Sequence, residues 1–305
     1  MSDQPIENGN NLSIPVEVIR PSGRSRVVEA DRLKAGATNL PLVSCLMVSR
    51  GDLHYLRYSR ACYLQQDYRN REFVLVCDQI TPALLKYLGR FPKSGIRVIE
   101  APAGLSLGEL RNISVAEANG ELVCIWDDDD LHDPFRISIS VSALLASKAP
   151  AVFLSRWLLW WPARKMLAIS EKRPWEGSML ARKAVVPPYQ PLARGEDTRV
   201  LAFIRRYHSV ALLELPWLYC YTVTGNNTWG SDHFEKLFRR AQAVFRGQEY
   251  DKAVNRLAGR VPTRLYAGQL ARLSANTKNA MLQLVGSPHP PGLSKAPRLS
   301  RRNAQ

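Results

Sequence analysis

Short apolar runs alternate with segments of helical spacing through residues 41–150. The predicted elements are strands at residues 42–48, 72–77, 96–99 and 122–126, and helices at residues 53–64, 83–88, 109–118 and 137–145. Strands and helices that alternate in this way are typical of a mainly parallel sheet with crossover helices. The pattern therefore predicts an α/β fold, resembling a Rossmann sheet flanked by helices.

The following segment, up to residue 230, is less regular. It predicts a strand at residues 151–155, a hairpin of residues 157–161 and 166–170, a helix from Gly195 to Arg206, and strands around Pro216. Residues 1–40 show little periodicity apart from a short strand at 16–19. We expect them to form an N-terminal arm that is partly disordered.

From Phe234 onward the apolar spacing is purely helical. The apolar positions are Phe234, Leu237, Phe238, Ala241, Val244, Phe245, Val254, Leu257, Val261, Leu265, Leu270 and Leu273. Residues 231–285 are therefore predicted to be a basic amphipathic helical extension, which either lies on an anionic membrane surface or packs on the domain of residues 41–230. Residues 286–305 are rich in Pro, Ser and Arg and are predicted to be a disordered tail.

Composition narrows the function classes. The 305 residues are 46% hydrophobic and 23% charged, with a formal net charge of +15. About fourteen Lys or Arg against four Asp or Glu lie in residues 231–305, so most of the excess positive charge belongs to this C-terminal part of the chain. This argues against nucleic-acid binding as the main role. A polar N-terminus without a signal pattern and five scattered cysteines predict a cytoplasmic protein with reduced thiols.

The candidate chemistry lies in residues 121–134, where an apolar run ends in four aspartates, Asp127–Asp130. Sheets of this class bind ligands at the carboxyl ends of their strands. If the extended backbone continues past Trp126, Asp127 and Asp129 point the same way, and a divalent cation would offset their repulsion. The alternative is an acidic turn that begins a helix. Asp133 before Pro134 fits an N-cap, and His132 is expected in an exposed loop.

Several motifs in order resemble those of the family 2 glycosyltransferases, which have the GT-A fold. They are the strand PLVSCLMVSR, the segment LQQDY followed by EFVLVCD, the block LSLGELRNISVAEANGELVCIWDDDD, and the segments WEGSMLARK and GEDTRV. The resemblance covers residues 41–229. The chain departs from the pattern at Cys77-Asp78, where the family often has two acidic residues, and in YTVTGNNTW, where a family histidine is not obvious.

The resemblance implies roles at the donor end. Asp78, Arg111, Asp127 and Asp128 would bind a nucleotide-sugar donor, most commonly a UDP-sugar. Asp127 and Asp129 would form a DxD motif that holds Mg²⁺ or Mn²⁺, with Asp130 and His233 as further candidate ligands. The alternatives are an ordinary turn for Asp78 and a solvated helix face for Asn112.

The resemblance also implies an acceptor end. Asp197, with Glu196, would act as the general base, and Trp175, Glu176 and Gly177 would contact the acceptor. A carboxylate within hydrogen-bond reach can take the proton of an attacking hydroxyl. The alternatives are stabilisation of a helix N-terminus by Glu196 and Asp197, and a structural role for Trp157, Trp160, Trp161 and Trp175.

These features together predict a metal-dependent inverting glycosyltransferase of cell-surface glycan or polysaccharide synthesis. Its acceptor would be a glycan or lipid-linked glycan, which suits peripheral contact with the inner face of the membrane. The alternatives are a catalytically silent GT-A-fold binding module, a related nucleotidyltransferase or, against the charge distribution, a basic nucleic-acid-binding protein.

Overall fold

The computed structural model describes residues 13–33, 38–89 and 95–285, and the side chains of these residues up to 276. The strands are β1 (Ser13–Ile19), β2 (Ser25–Asp31), β3 (Val43–Ser49), β4 (Arg71–Cys77), β5 (Ile96–Glu100), β6 (Leu122–Ile125), β7 (Leu131–His132), β8 (Ala151–Leu154), β9 (Leu158–Trp161), β10 (Met166–Ile169), β11 (Leu180–Arg182), β12 (Val210–Leu213), β13 (Tyr219–Thr222) and β14 (Ala243–Phe245). The helices are α1 (Leu53–Leu64), α2 (Pro82–Gly89), α3 (Leu107–Glu117), α4 (Arg136–Ser147), α5 (Glu196–Tyr207), α6 (Ser231–Arg240), α7 (Gly247–Ala258) and α8 (Thr263–Val285).

The larger sheet confirms the predicted α/β fold. Its strand order is β2-β1-β12-β8-β11-β6-β3-β4-β5. Strands β6, β3, β4 and β5 run parallel, and α1, α2 and α3 are the crossovers between them in chain order. The strands β3, β4 and β6 are nearly continuous buried runs because this part of the sheet is covered on both faces. Their carboxyl ends therefore meet at one edge of the sheet.

The prediction of a loosely ordered arm over residues 1–40 is wrong for the described part of that segment. Strand β1 pairs antiparallel with β12 and with β2, which extends the larger sheet. The reason is visible in the alternation of β1, in which Ile14, Val16 and Val18 are buried while the residues between them are more exposed. Residues 1–12 of the predicted arm lie outside the described residues.

The smaller sheet has the order β14-β10-β9-β13-β7. The predicted hairpin is confirmed, since β9 and β10 pair antiparallel. The prediction of one helical stripe from Phe234 to Phe245 is wrong, because α6 ends at Arg240 and residues 243–245 form β14. The Gln242 amide donates to the Ile169 carbonyl at 2.9 Å, and the ladder with β10 overrides the helical spacing.

The extension of residues 231–276 packs on the rest of the chain. Phe234, Leu237, Phe238, Tyr250, Leu257, Val261, Tyr266 and Leu270 belong to the main core cluster. In the described part, the apolar faces of the extension pack on the rest of the chain, which is the second of the two predicted alternatives. None of the helices described is long and apolar enough to cross a membrane. The predicted disordered tail, residues 286–305, lies outside the described residues.

The chain enters α4 through a turn that corrects two local predictions. Asp133 is not the N-cap, since α4 begins at Arg136; its Oδ1 accepts a hydrogen bond from the Phe135 amide at 2.9 Å and it pairs with Arg260. His132 is fully buried rather than in an exposed loop. Its ring lies 4.1 Å from that of Trp126, and its Nδ1 lies 2.6 Å from a guanidinium nitrogen of Arg136.

Candidate functional site

The four aspartates lie where β6 ends, at the carboxyl edge of the parallel strands. The backbone turns at Asp128 and Asp129, so the extended continuation that would align Asp127 with Asp129 is not observed. The Asp128 carboxylate accepts a hydrogen bond of 2.5 Å from the Ser49 hydroxyl at the end of β3. Asp78 is half-buried directly after β4, whose Cys77 pairs with Ser49. The predicted donor-binding residues Asp78 and Asp128 thus follow neighbouring strands.

Arg111 on α3 joins two carboxylates that lie far apart in the sequence. Its Nε donates to Glu196 at 2.7 Å and its Nη2 donates to Asp127 at 3.0 Å. The Arg111 guanidinium is buried, and the charges of Asp127 and Glu196 raise its pKa against the lowering effect of burial. Its charge is therefore engaged by the protein itself. This arrangement brings the aspartate cluster and the start of α5 together.

Asp197 lies beside this ion pair, at the N-terminus of α5. Burial raises its pKa to about 7; the charge of Arg111 lowers it, while those of Glu196, Glu176 and Asp127 raise it. Glu196 is itself buried. A carboxylate that titrates near neutral pH suits proton transfer from a hydroxyl. The predicted base therefore has the electrostatic setting that the role requires.

The predicted acceptor segment lies close to Asp127. An added Cβ on Gly177 would lie 2.9 Å from Tyr219 Oη, 3.1 Å from Trp175 Nε1 and 3.4 Å from Asp127 Oδ2. Trp175 stacks on Trp157 at 4.4 Å, and its buried Nε1 makes no hydrogen bond among the described residues. Glu176 pairs with Arg173 at 2.8 Å. Residues 175–177 therefore lie within reach of Asp127.

The other three tryptophans have structural positions. Trp157 and Trp160 are fully buried, and Trp161 is 7% exposed. The Trp160 indole donates to the Tyr250 hydroxyl at 3.2 Å. Asn112 holds Tyr189 through two backbone hydrogen bonds, of 2.7 and 2.8 Å, rather than facing solvent. Of the aromatic candidates, Trp175 alone is both half-buried and next to Asp127.

Asp130 is a fully buried carboxylate with protein partners on both oxygens. The Thr222 amide donates to Oδ1 at 2.8 Å, and the Tyr219 hydroxyl donates to Oδ2. The pKa of Asp130 is raised well above its ordinary value, by burial first and then by the charge of Asp127. Arg136 opposes this shift and also donates to the carbonyls of Ile125 and Gly177, at 2.8 and 3.1 Å. Asp130 thus has a set of contacts that organise the fold.

His233 lies on α6 and stacks on Trp229 at 4.6 Å. Its pKa is lowered by burial first and then by the charges of Arg173 and Lys236. None of its contacts among the described residues is with an aspartate of the cluster. The predicted metal role of His233 therefore gains no support from its surroundings.

The aspartate cluster fits a hard divalent cation that is shared with a substrate. Asp129 has a raised pKa because of burial and the charges of Asp130, Asp128 and Asp127, and a cation would relieve that repulsion. Among the described residues, no three His, Cys, Asp or Glu side chains are arranged to hold a metal ion by themselves. Mg²⁺ typically takes one or two carboxylates and completes its shell with phosphates and water. Asp127 and Asp129 would be those carboxylates.

Several residues of the site carried no signal in the sequence. They are Ser49, Arg136, Tyr219, Thr222, Asn227 and Tyr266, which hold the four aspartates and their flanking segments. Asn227 donates to the Asp129 carboxylate at 2.8 Å. Asn227 belongs to the polar run GNNTW, which indicates a loop, but the sequence does not indicate that this loop contacts Asp129.

Part of the chain matches a known protein family. Residues 44–158 match the family model described as Glycosyl transferase family 2. No curated protein matches the chain. A crystal structure of residues 1–349 of S. aureus TarS is 14% identical over 64% of this chain and 68% of that chain, with a TM-score of 0.49. The complex of that fragment with UDP-GlcNAc is 15% identical over 59% of this chain and 58% of that chain, with a TM-score of 0.49.

The match to the family model spans the parallel strands, the crossover helices and the aspartate cluster. It includes Arg111 and Asp127, and it ends within β9. Residues 44–158, which are 115 of the 305 residues, are therefore similar to the glycosyltransferases of family 2.

Proposed function

We propose that the chain is a metal-dependent inverting glycosyltransferase that moves a sugar from a nucleotide-sugar donor to an acceptor hydroxyl. The observation that carries this proposal is the Arg111 bridge, which joins Asp127 of the aspartate cluster to Glu196 next to Asp197. Donor and acceptor chemistry need carboxylates on either side of one reacting carbon, and the contacts of Arg111 with Asp127 and Glu196 support such an arrangement.

The donor lies, in this proposal, along the carboxyl edge of the parallel strands. Asp127 and Asp129 would hold Mg²⁺ or Mn²⁺ together with the diphosphate, and such a cation would supply Lewis-acid stabilisation of the leaving group. Asp128 and Asp78 face the nucleoside, where a carboxylate suits a ring N–H of a base such as uracil. Arg111 keeps Asp127 oriented through its hydrogen bond of 3.0 Å.

The transfer step uses Asp197 as general base. The acceptor oxygen forms a bond to the anomeric carbon, its proton passes to the Asp197 carboxylate, and the bond from that carbon to the diphosphate oxygen breaks with its electron pair. Attack opposite the leaving group inverts the configuration, so no covalent nucleophile is required. The pKa of about 7 allows Asp197 to accept the proton near neutral pH.

The acceptor is proposed to be a glycan or lipid-linked glycan of cell-surface synthesis. The half-buried Trp175 is proposed to contact the acceptor through its ring, with Glu176 and Gly177 beside it and Gly177 next to Asp127. Contact with the inner face of the membrane would use the exposed basic residues Lys236, Arg239 and Arg240, because the apolar face of α6 is buried.

A screen of nucleotide-sugars for Mn²⁺-dependent binding and hydrolysis tests the proposal. The expected result is that one donor binds and is hydrolysed with Mn²⁺ present, and that the Asp197→Asn variant binds the same donor with transfer reduced about 10²- to 10⁴-fold. Absence of any Mn²⁺-dependent donor binding would contradict the donor site. Unchanged turnover in the Asp197→Asn variant would place the base elsewhere.

A further inference from the structure

One residue of the C-terminal extension contacts the aspartate cluster directly. Tyr266 on α8 is fully buried, and its hydroxyl donates a hydrogen bond of 2.8 Å to the backbone carbonyl of Asp129. This carbonyl lies in the turn at Asp128 and Asp129, where the backbone leaves the strand direction. A partly buried carbonyl that loses its partner costs free energy, so the contact favours this turn over other conformations.

Aromatic packing fixes the orientation of Tyr266. Its ring stacks on Tyr58 of α1 with centroids 4.7 Å apart and meets the rings of Tyr55 and Trp160 edge-on, at 6.5 and 6.1 Å. The Tyr58 hydroxyl also donates to the Leu265 carbonyl at 3.3 Å. A ring held on three sides presents its hydroxyl at one place only.

The side chain of Asp129 is held from the same neighbourhood. Asn227 donates to its Oδ2 at 2.8 Å, and the adjacent Asn226 donates to the Tyr55 hydroxyl at 2.8 Å. Tyr55 in turn contacts Tyr266. The carbonyl and the carboxylate of Asp129 are therefore oriented by neighbouring groups that pack on one another.

A second contact anchors the extension at the other end of the acidic segment. Arg260, in the connection between α7 and α8, donates to Asp133 at 2.9 Å. Asp133 is 1% exposed, and its carbonyl accepts a hydrogen bond of 2.6 Å from Gln66, which lies just after α1. The extension thus holds the segment from Asp129 to Asp133 at both ends.

We infer that the C-terminal extension is part of the donor site and that Tyr266 is a positioning residue for Asp129. The inference rests on the proposed function, in which Asp129 holds the cation shared with the donor diphosphate. In this role Tyr266 acts through the backbone of Asp129. It fixes the turn from which the Asp129 carboxylate projects.

The test compares Tyr266→Phe with Tyr250→Phe in the full chain. Both changes remove one tyrosine hydroxyl of a buried residue from the extension. Among the described residues, the Tyr250 hydroxyl accepts from Trp160 at 3.2 Å and makes no hydrogen bond to Asp127–Asp130. Binding of Mn²⁺ in the presence of UDP is measured by the loss of the free-ion resonance signal. Backbone amide exchange of the peptide that contains residues 127–131 is followed by mass spectrometry, and thermal unfolding reports global stability.

The expected result for Tyr266→Phe is Mn²⁺ binding weakened by about tenfold, the size of one hydrogen bond, and faster exchange in residues 127–131. Tyr250→Phe should bind Mn²⁺ within about twofold of the unmodified protein, with a similar change in melting temperature. Equal Mn²⁺ affinity and equal exchange in the two variants would overturn the inference. If the unmodified protein binds no Mn²⁺ with UDP, a UDP-sugar donor is excluded, and amide exchange still decides whether Tyr266 fixes the turn.

Discussion

The pH dependence of transfer should report the ionisation of Asp197. Its pKa is raised from 3.8 to about 7, mainly by burial in the cleft. A base with that pKa is about one-tenth ionised at pH 6 and about nine-tenths ionised at pH 8. The value of kcat/KM should therefore rise about tenfold between pH 6 and pH 8, because only the ionised carboxylate accepts the acceptor's proton.

A second variant tests whether neighbouring charges contribute to the pKa of Asp197. The charge of Glu176 raises the pKa of Asp197, so Glu176→Gln should lower that pKa and move the acid limb of the profile to lower pH. Glu214→Gln is the matched control, since it removes the same charge from an exposed residue that pairs with Arg156 and Lys172. Its profile should coincide with that of the unmodified protein.

The assay is the initial rate of sugar transfer at subsaturating substrate, in buffers of constant ionic strength from about pH 5.5 to pH 8.5, because kcat/KM reports groups of the free enzyme. A profile that is flat across this range would refute the assignment of a raised pKa to the base. An acid limb that is present but does not move in Glu176→Gln would show that a different group titrates.

Two further predictions concern the packing and the charge of the site. Gly177→Ala should reduce kcat/KM by at least about tenfold and destabilise the protein by about 1–3 kcal/mol, because the new Cβ would lie 2.9 Å from Tyr219 Oη. The control is Gly259→Ala, whose Cβ would lie 3.6 Å from its nearest neighbour, and it should have neither effect. Equal activity of the two variants would contradict crowding at Gly177. Burial, followed by the charges of Asp127 and Asp52, raises the pKa of Asp128 to about 6, so its contribution to stability is present at low pH and is lost as the pH rises through about 6. Ionised Asp128 adds its negative charge beside Asp127 and Asp129, so Mn²⁺ should raise the melting temperature more at about pH 7.5 than at about pH 5. Asp128→Asn should reduce that difference. An equal shift at both pH values would argue against a cation among these carboxylates.

The main elements of the fold could be predicted because their signals are local. The period of apolar residues predicted α1, α3 and α5 to within a few residues, and the buried runs predicted β3, β4 and β6. The abrupt change from Trp126 to Asp127 placed an acidic cluster at a strand end, and the structure has it there. The spacing of apolar residues wrongly predicted a helix at residues 243–245, where pairing with β10 produces a strand.

The sequence by itself determined which residues form the parallel strands β3, β4 and β6, which of these strands ends in aspartates, and which segments carry helix-start and turn residues. Only the tertiary structure decided the partners: Arg111 lies 85 positions from Glu196, and Tyr266 lies 137 positions from Asp129. The physical reason is that spacing along the chain sets the face on which a side chain lies, whereas its partner depends on the path of the backbone between them. The same limit left the packing of the extension undecided, because a buried apolar stripe and a membrane-facing one have the same period.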